Sequence, residues 1–205
     1  MKKLLLIVSI FSGSLAQAQR VVPVYGLEGG FLFGGLTNMP NYAGSWLFNG
    51  SFWVDLIKTN KFDRPTWGIK IKLNYNDYQM GASGNNSGTL SIGETTIPIL
   101  FKVCAASSTQ LFEKGSGEDK QFFVMKRDLF FFVGPQIGFL SLSGGPAPTY
   151  YKSDYSYVAG GEIYFNSRVY FTLYAQRGVS KIYETEGYSD VRLNGFTAAI
   201  GFRLL

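Results

Sequence analysis

The chain alternates. From Trp67 to Tyr75 every odd position is apolar or aromatic (Trp67, Ile69, Ile71, Leu73, Tyr75), and the even positions are Gly68, Lys70, Lys72 and Asn74. A period of two puts these sets on opposite faces of a strand. Seven more segments read the same way: 24–36, 46–57, 95–104, 129–142, 155–165, 168–179 and 193–204. In the first, Tyr25, Leu27, Phe31 and Phe33 oppose Glu28. In the second, Trp46, Phe48, Phe52, Val54 and Leu56 oppose Asn49, Ser51 and Asp55. Segment 95–104 sets Ile97, Ile99, Phe101 and Val103 against Thr96, Pro98 and Lys102. Segment 155–165 sets Glu162 against Ile163 and Phe165. Segment 168–179 sets Val169, Phe171, Leu173 and Ala175 against Tyr170, Thr172, Tyr174 and Gln176. The last sets Phe196, Ala198, Ile200, Phe202 and Leu204 against Gly195, Thr197, Gly201 and Arg203.

Strands of roughly ten to twelve residues are long enough to cross a bilayer at a tilt. The connections 59–65 and 166–167 are short. Those at 37–45, 76–94, 143–154 and 181–192 are longer, polar and rich in Gly, Asn, Ser and Tyr. That layout predicts an all-β fold: an eight-stranded antiparallel up-and-down transmembrane barrel of the outer-membrane type, with both termini periplasmic. Segment 105–127 departs from it. It falls where a periplasmic turn belongs, yet it is long and charge-rich (EKGSGEDK), which predicts some strand extension.

The alternative is a soluble periplasmic ligand-binding barrel with the faces reversed. The polar face favours the membrane. It is thin in charge, and its charges nearly cancel: Lys70, Lys72, Lys102 and Arg203 against Glu28, Asp55 and Glu162. A small lumen needs its charges paired. Glu162 is expected to pair with Lys70, Lys72 or Lys102. Tyr25, Trp46, Trp67 and Tyr75 fall near strand ends, where interfacial aromatic girdles lie. Eight strands enclose only enough room for side chains. The expectation is a filled lumen; the competing function is a small-solute or ion channel. Pro98, lacking an N–H, predicts a bulge or a strand end. Gly134, Gly138, Gly160 and Gly161 predict bends or room for large lumen side chains.

Composition sharpens the picture. Charged residues are 16% and aromatics 17% of 205 residues, and mean hydropathy is +0.05. Alternation averages a lipid face with a polar lumen, so a membrane barrel scores like a soluble protein. No stretch approaches eighteen apolar residues, so no transmembrane helix is expected. Residues 1–18 read as a signal peptide: Lys2 and Lys3, an apolar run 4–11, then Ala16-Gln17-Ala18 before cleavage, leaving 19–205 as one barrel domain. Without Lys2 and Lys3, 17 of the 19 basic residues remain against 14 acidic, a net of +3, too little to point to nucleic acid. The chain ends inside its last predicted strand.

The chain contains no His and one Cys, Cys104. That removes the His-based triads, His general bases and thiolate clusters. No enzyme, metal site or cofactor is expected. Cys104 is expected to be a small residue at a strand end, and Glu184, Glu186 and Asp190 a solvated outer loop. Residues 81–88 (GASGNNSG) lack the Gly-Lys-Ser/Thr of a phosphate loop. Tyr150, Tyr151, Tyr155, Tyr157, Tyr183 and Tyr188 surround two outer loops and suit a girdle, or contacts.

Four stretches resemble the PorT-like outer-membrane β-barrel family of Bacteroidota: Thr96-Ile97-Pro98-Ile99-Leu100-Phe101-Lys102; residues 131–140 (FFVGPQIGFL); Val158-Ala159-Gly160-Gly161-Glu162-Ile163, with Gly178-Val179-Ser180-Lys181-Ile182 downstream; and Ile200-Gly201-Phe202-Arg203-Leu204. The chain departs from that family at Tyr174-Ala175 and Leu204-Leu205. The resemblance implies an outer-membrane barrel and no single activity, some members being linked to type IX secretion. The expected role is structural or accessory in a cell-envelope assembly. Outer-membrane lipid is the expected surrounding. The expected partner is a larger outer-membrane or periplasmic complex reached through 105–127 or the outer loops.

Overall fold

The computed structural model describes residues 21–38, 42–43, 45–60, 62, 64–82, 89–114, 121–143, 149–150, 153–185 and 188–204. The expected signal peptide 1–18 and residues 83–88 of the Gly-rich stretch 81–88 lie outside these. Eight long strands form the wall: β1 (Val21–Leu36), β3 (Ser45–Thr59), β4 (Pro65–Ala82), β5 (Thr89–Lys114), β6 (Gln121–Ser143), β8 (Ser153–Tyr164), β9 (Val169–Gly178) and β12 (Leu193–Leu204). Each pairs antiparallel with its neighbour along the chain, and β1 closes on β12 from Tyr25↔Leu204 to Leu36↔Leu193. The ring is therefore an up-and-down barrel without an open seam. Four short strands lie at the long-loop end. β2 (Tyr42–Ala43) pairs with β4, and β7 (Thr149–Tyr150), β10 (Tyr183–Thr185) and β11 (Tyr188–Val191) form a small sheet.

The apolar face points out. Phe31 is 64% exposed, Phe48 66%, Phe131 59% and Val133 54%, whereas Lys70 and Lys102 are wholly buried. A soluble barrel would show the reverse, so the reversed-face alternative is excluded. Among the described residues no helix is long and apolar enough to cross a membrane; this chain crosses with strands.

Large lumen side chains fit because glycines face them. A Cβ at Gly201 would lie 1.9 Å from the Tyr170 ring, and one at Gly26 would lie 2.4 Å from the Trp53 ring. Gly160 makes room beside Tyr174 in the same way, whereas Gly161 lies on the outer face against Phe131.

Pro98 is neither at a bulge nor at a strand end. It lies inside β5, with Thr96↔Asn74 and Ile99↔Ile71 in one register on one side, and Gln136↔Pro98 and Val133↔Phe101 in one register on the other. The ladder skips pairs around Pro98 and Pro135 but does not slip, because both flanks are held by long paired runs. The bulge falls instead between Cys104 and Ala106. Cys104 is thus mid-strand, half-buried, with Sγ directed at the Ala106 carbonyl.

Beyond that bulge β5 and β6 continue as a two-stranded ribbon. β4 stops pairing at Val103 and β8 at Leu129, but β5 and β6 pair on to Lys114↔Gln121. At about 3.3 Å per residue the ribbon extends roughly 30 Å past the rim. It leaves from the short-turn end, where Val21 and Leu204 also lie. The segment expected to be an extended turn is a projecting hairpin.

Replacing Val133 on the outer face with Arg should cost about 2–4 kcal/mol of barrel stability in lipid, the penalty for a cation near the bilayer midplane. Ser108→Glu, on the exposed face of the ribbon beyond the membrane and opposite Arg127, should cost under about 0.5 kcal/mol, as for a surface substitution. Equilibrium urea unfolding in vesicles reads both; equal effects would contradict the assigned faces.

Candidate functional site

The lumen is a stack of layers. At the short-turn end Trp53 of β3, Phe130 of β6, Tyr164 of β8 and Tyr170 of β9 form an aromatic floor. Alternation delivers them, because each shares its strand's inward parity with a lumen charge or polar residue. Tyr164 and Tyr170 have ring centroids 4.8 Å apart, and Trp53 meets Tyr170 edge-on at 5.7 Å. The Arg203 guanidinium lies 4.0 Å from the centre of the Tyr164 ring.

The charge layer rests on that floor. Lys70 Nζ donates to Glu162 Oε1, and to the Tyr170 hydroxyl at 3.1 Å. Tyr170 in turn donates to Glu28 at 2.9 Å. Lys102 Nζ contacts Asp55 Oδ2 and Glu162 Oε2, each at 2.6 Å. Lys72 Nζ pairs with Glu28 Oε1 at 2.5 Å. Tyr164 donates to Glu162 at 3.0 Å. The ammonium groups also lie over aromatic faces: Lys70 over Trp53 at 4.4 Å, Lys102 over Phe130 at 4.5 Å and Lys72 over Tyr174 at 4.6 Å. Three lysines meet three carboxylates, with every partner nearly or wholly buried. Such pairs persist in a low-dielectric interior when hydrogen bonds satisfy the remaining atoms.

The structure thus brings together Glu28, Asp55, Lys70, Lys72, Lys102 and Glu162. Arg203 stands apart, half-buried at the floor. Glu162 is shared by Lys70 and Lys102, while Lys72 goes to Glu28. The network joins β1, β3, β4, β5, β8 and β9 across the lumen.

Above it Leu100, Phe132, Val158 and Tyr174 make an apolar layer. Next comes a polar layer with Asn49, Asn74, Asn76, Thr96, Gln136, Ser156 and the carboxylates Glu94 and Asp154. A cap of Leu32, Tyr78, Ile92, Leu140, Ile182, Val191 and Leu193 finishes the stack. Ile182 and Val191 come from the last outer segment, which is therefore folded over the mouth and not wholly solvated. Asp190 in that segment has φ of 65° and chelates Arg192 with two contacts of 3.0 Å. Glu184 lies in β10 with its side chain outside the described set, and Glu186 lies outside it altogether.

Of the girdle candidates, Tyr25 and Tyr75 are exposed on the outer face. Trp67 is half-buried, stacked on Phe101 at 6.1 Å with Lys58 over its ring. Trp46 lies in β3 with its side chain outside the described set. Tyr155 and Tyr157 are exposed on the outer face toward the long-loop end. The side chains of Tyr150, Tyr151, Tyr183 and Tyr188 are outside the described set. The sequence reading missed Trp53, Tyr78, Glu94 and Asp154 as lumen residues. Strand parity would have found Trp53; the others sit in strand ends read as loops.

Closure, an apolar exterior and a charge-filled interior define the class: a transmembrane β-barrel of the outer-membrane type. No family model and no curated protein matches the chain. Among solved structures it aligns with Ail, the attachment invasion locus protein of Yersinia pestis, at 12% identity and a TM-score of 0.45, over 88% of this chain and 98% of that one. It aligns with the outer membrane protein OprG from Pseudomonas aeruginosa at 9% identity and a TM-score of 0.44, over 90% and 97%. For Neisserial surface protein A the values are 7%, 0.37, 92% and 100%.

Glu162→Leu should destabilise the barrel by about 3–5 kcal/mol, because it leaves two buried ammonium groups short of a partner. The temperature of the heat-modifiable gel shift should drop; an unchanged temperature would show that the network contributes no stability.

Proposed function

We propose that the protein is a non-enzymatic integral component of the bacterial outer membrane, with its termini and ribbon in the periplasm. It serves as a structural or accessory member of a cell-envelope assembly. The observation that carries this reading is the β5–β6 ribbon. The barrel needs no such extension to close, and past residues 103 and 129 the two strands pair only with each other among the described residues. Unpaired strand edges are surfaces on which another chain can add a strand. The resemblance to PorT-like barrels points the same way, toward a secretion-related assembly.

The filled lumen speaks against the channel reading. An ion crossing the barrel would have to part Lys70, Lys102, Asp55 and Glu162 and pass the aromatic floor. In a planar bilayer the purified protein should give no stable conductance steps. Steps of regular size would favour the channel.

The test of the accessory role is to replace 107–127 with a two-residue hairpin turn and repeat cross-linking and co-purification from native membranes. The shortened barrel should keep its heat-modifiable shift and lose its cross-linked partners. Full recovery of the same partners would overturn the role assigned to the ribbon.

A further inference from the structure

The polar layer of the lumen holds two carboxylates that the charge network does not reach. Glu94 of β5 is wholly buried. It accepts hydrogen bonds from Asn76 and from the Tyr78 hydroxyl, each at 3.0 Å, and from Gln176 at 3.3 Å. Asp154 of β8 is also wholly buried. Its Oδ1 accepts from Ser180 at 2.8 Å, and its Oδ2 has no partner. Gly138 of β6 touches both. A Cβ there would lie 2.7 Å from Glu94 Oε1 and 3.4 Å from Asp154 Cβ, so both side chains pack against this one glycine. Among the described residues no ion pair reaches either carboxylate: Lys70, Lys72 and Lys102 are engaged below the apolar layer, and Arg192 is held by Asp190. Two buried like charges without a counter-charge are strongly unfavourable.

A second observation stands beside the carboxylates. Gln136 is one pleat from Gly138 on the same inward face and is 2% exposed. Its amide nitrogen donates to Ser156 at 3.0 Å, while its carbonyl Oε1 is buried without a partner. Asn74 Oδ1 in the same layer is likewise unpartnered. The layer is rich in acceptors and poor in donors. What it lacks is a positively charged group that takes oxygen atoms around it.

We propose that Glu94 and Asp154, where they meet at Gly138, form a binding site for a hard divalent cation of the calcium class, with Gln136 Oε1 as a neutral ligand. The set contains oxygen only, without sulfur or imidazole, which selects Ca²⁺ over zinc or copper. A charge of two offsets both carboxylates. The site lies toward the long-loop end, where Asp154 stands near the start of β8 beside the half-buried Ser180. The inference is independent of the accessory role, since it needs only the folded barrel.

Terbium(III) is the probe. It replaces Ca²⁺ at oxygen sites, and Tyr78, hydrogen-bonded to Glu94, is placed to sensitise its emission. The full-length mature barrel, refolded in detergent and freed of metal with a chelator, should give saturable Tyr-sensitised emission that Ca²⁺ displaces. Glu94→Gln combined with Asp154→Asn should weaken Tb³⁺ binding by roughly tenfold or more, two charged ligands being lost. Asp190→Asn, a control for the outer loop, should leave it unchanged. Millimolar Ca²⁺ should raise the unfolding temperature of the parent barrel and not of the double variant. If the double variant does not fold, Asp154→Asn alone serves, with a smaller loss in the same direction. Equal emission from parent and variant would overturn the site. So would a parent unfolding temperature that Ca²⁺ does not move, which would mean that protons neutralise the two carboxylates.

Discussion

Everything in this molecule follows from turning a sheet inside out. An eight-stranded ring has room inside for side chains only, and lipid outside removes any solvent for charge. The polar residues of every strand must therefore find partners across a narrow lumen. The Lys70–Glu162–Lys102–Asp55 chain is the result. Each ammonium group meets a carboxylate, and each also lies over an aromatic face, so its positive charge is compensated from two directions. Because Glu162 serves two lysines, and Tyr170 relays Lys70 to Glu28, the members are not independent. The loss of one is felt by strands on the opposite wall.

Layering follows from the same constraint. Charged groups cannot be spread along the lumen, since a lone one at any level lacks a partner. The three lysines and the carboxylates that pair with them gather at one level, and aromatic and aliphatic layers lie above and below. Glycine is what lets this happen. Tyr170 lies where a side chain at 201 would be, and Trp53 lies where one at 26 would be. At these positions glycine serves ring placement inside the barrel and not a turn.

Much of the architecture was readable from alternation alone. Period two gives the strands, and the face that carries Lys70 and Lys72 in β4 must be the face that carries Glu28 in β1 if the ring is closed. What alternation does not give is where a strand stops. Glu94 and Asp154 sit in Gly-, Ser- and Asn-rich sequence that resembles a loop, yet ladder pairing with Asn76 and Gly138 carries both into the wall. Partner choice was also beyond it: three lysines were candidates for Glu162, and the selection of Lys70 and Lys102 depends on strand order and stagger around the ring. Pro98 shows the converse limit. A local rule predicts a broken strand, but register fixed by long paired runs on either side absorbs the missing N–H without a slip.

The ribbon turns on a single irregularity. Up to Val103 β5 is held on both sides, and its inward residues face a crowded lumen. After the bulge between Cys104 and Ala106 it has one neighbour, β6, and no lumen to fill. A bulge adds a residue to one strand and bends it, and this one falls where β5 leaves the ring. Its outer edges carry backbone donors and acceptors that the ring no longer pairs. In water such edges invite strand addition, and the mixed charge of the 113–120 stretch (EKGSGEDK) is a device that discourages indiscriminate pairing. The proposed accessory role rests on this arrangement, a sealed barrel that carries a strand-edged arm.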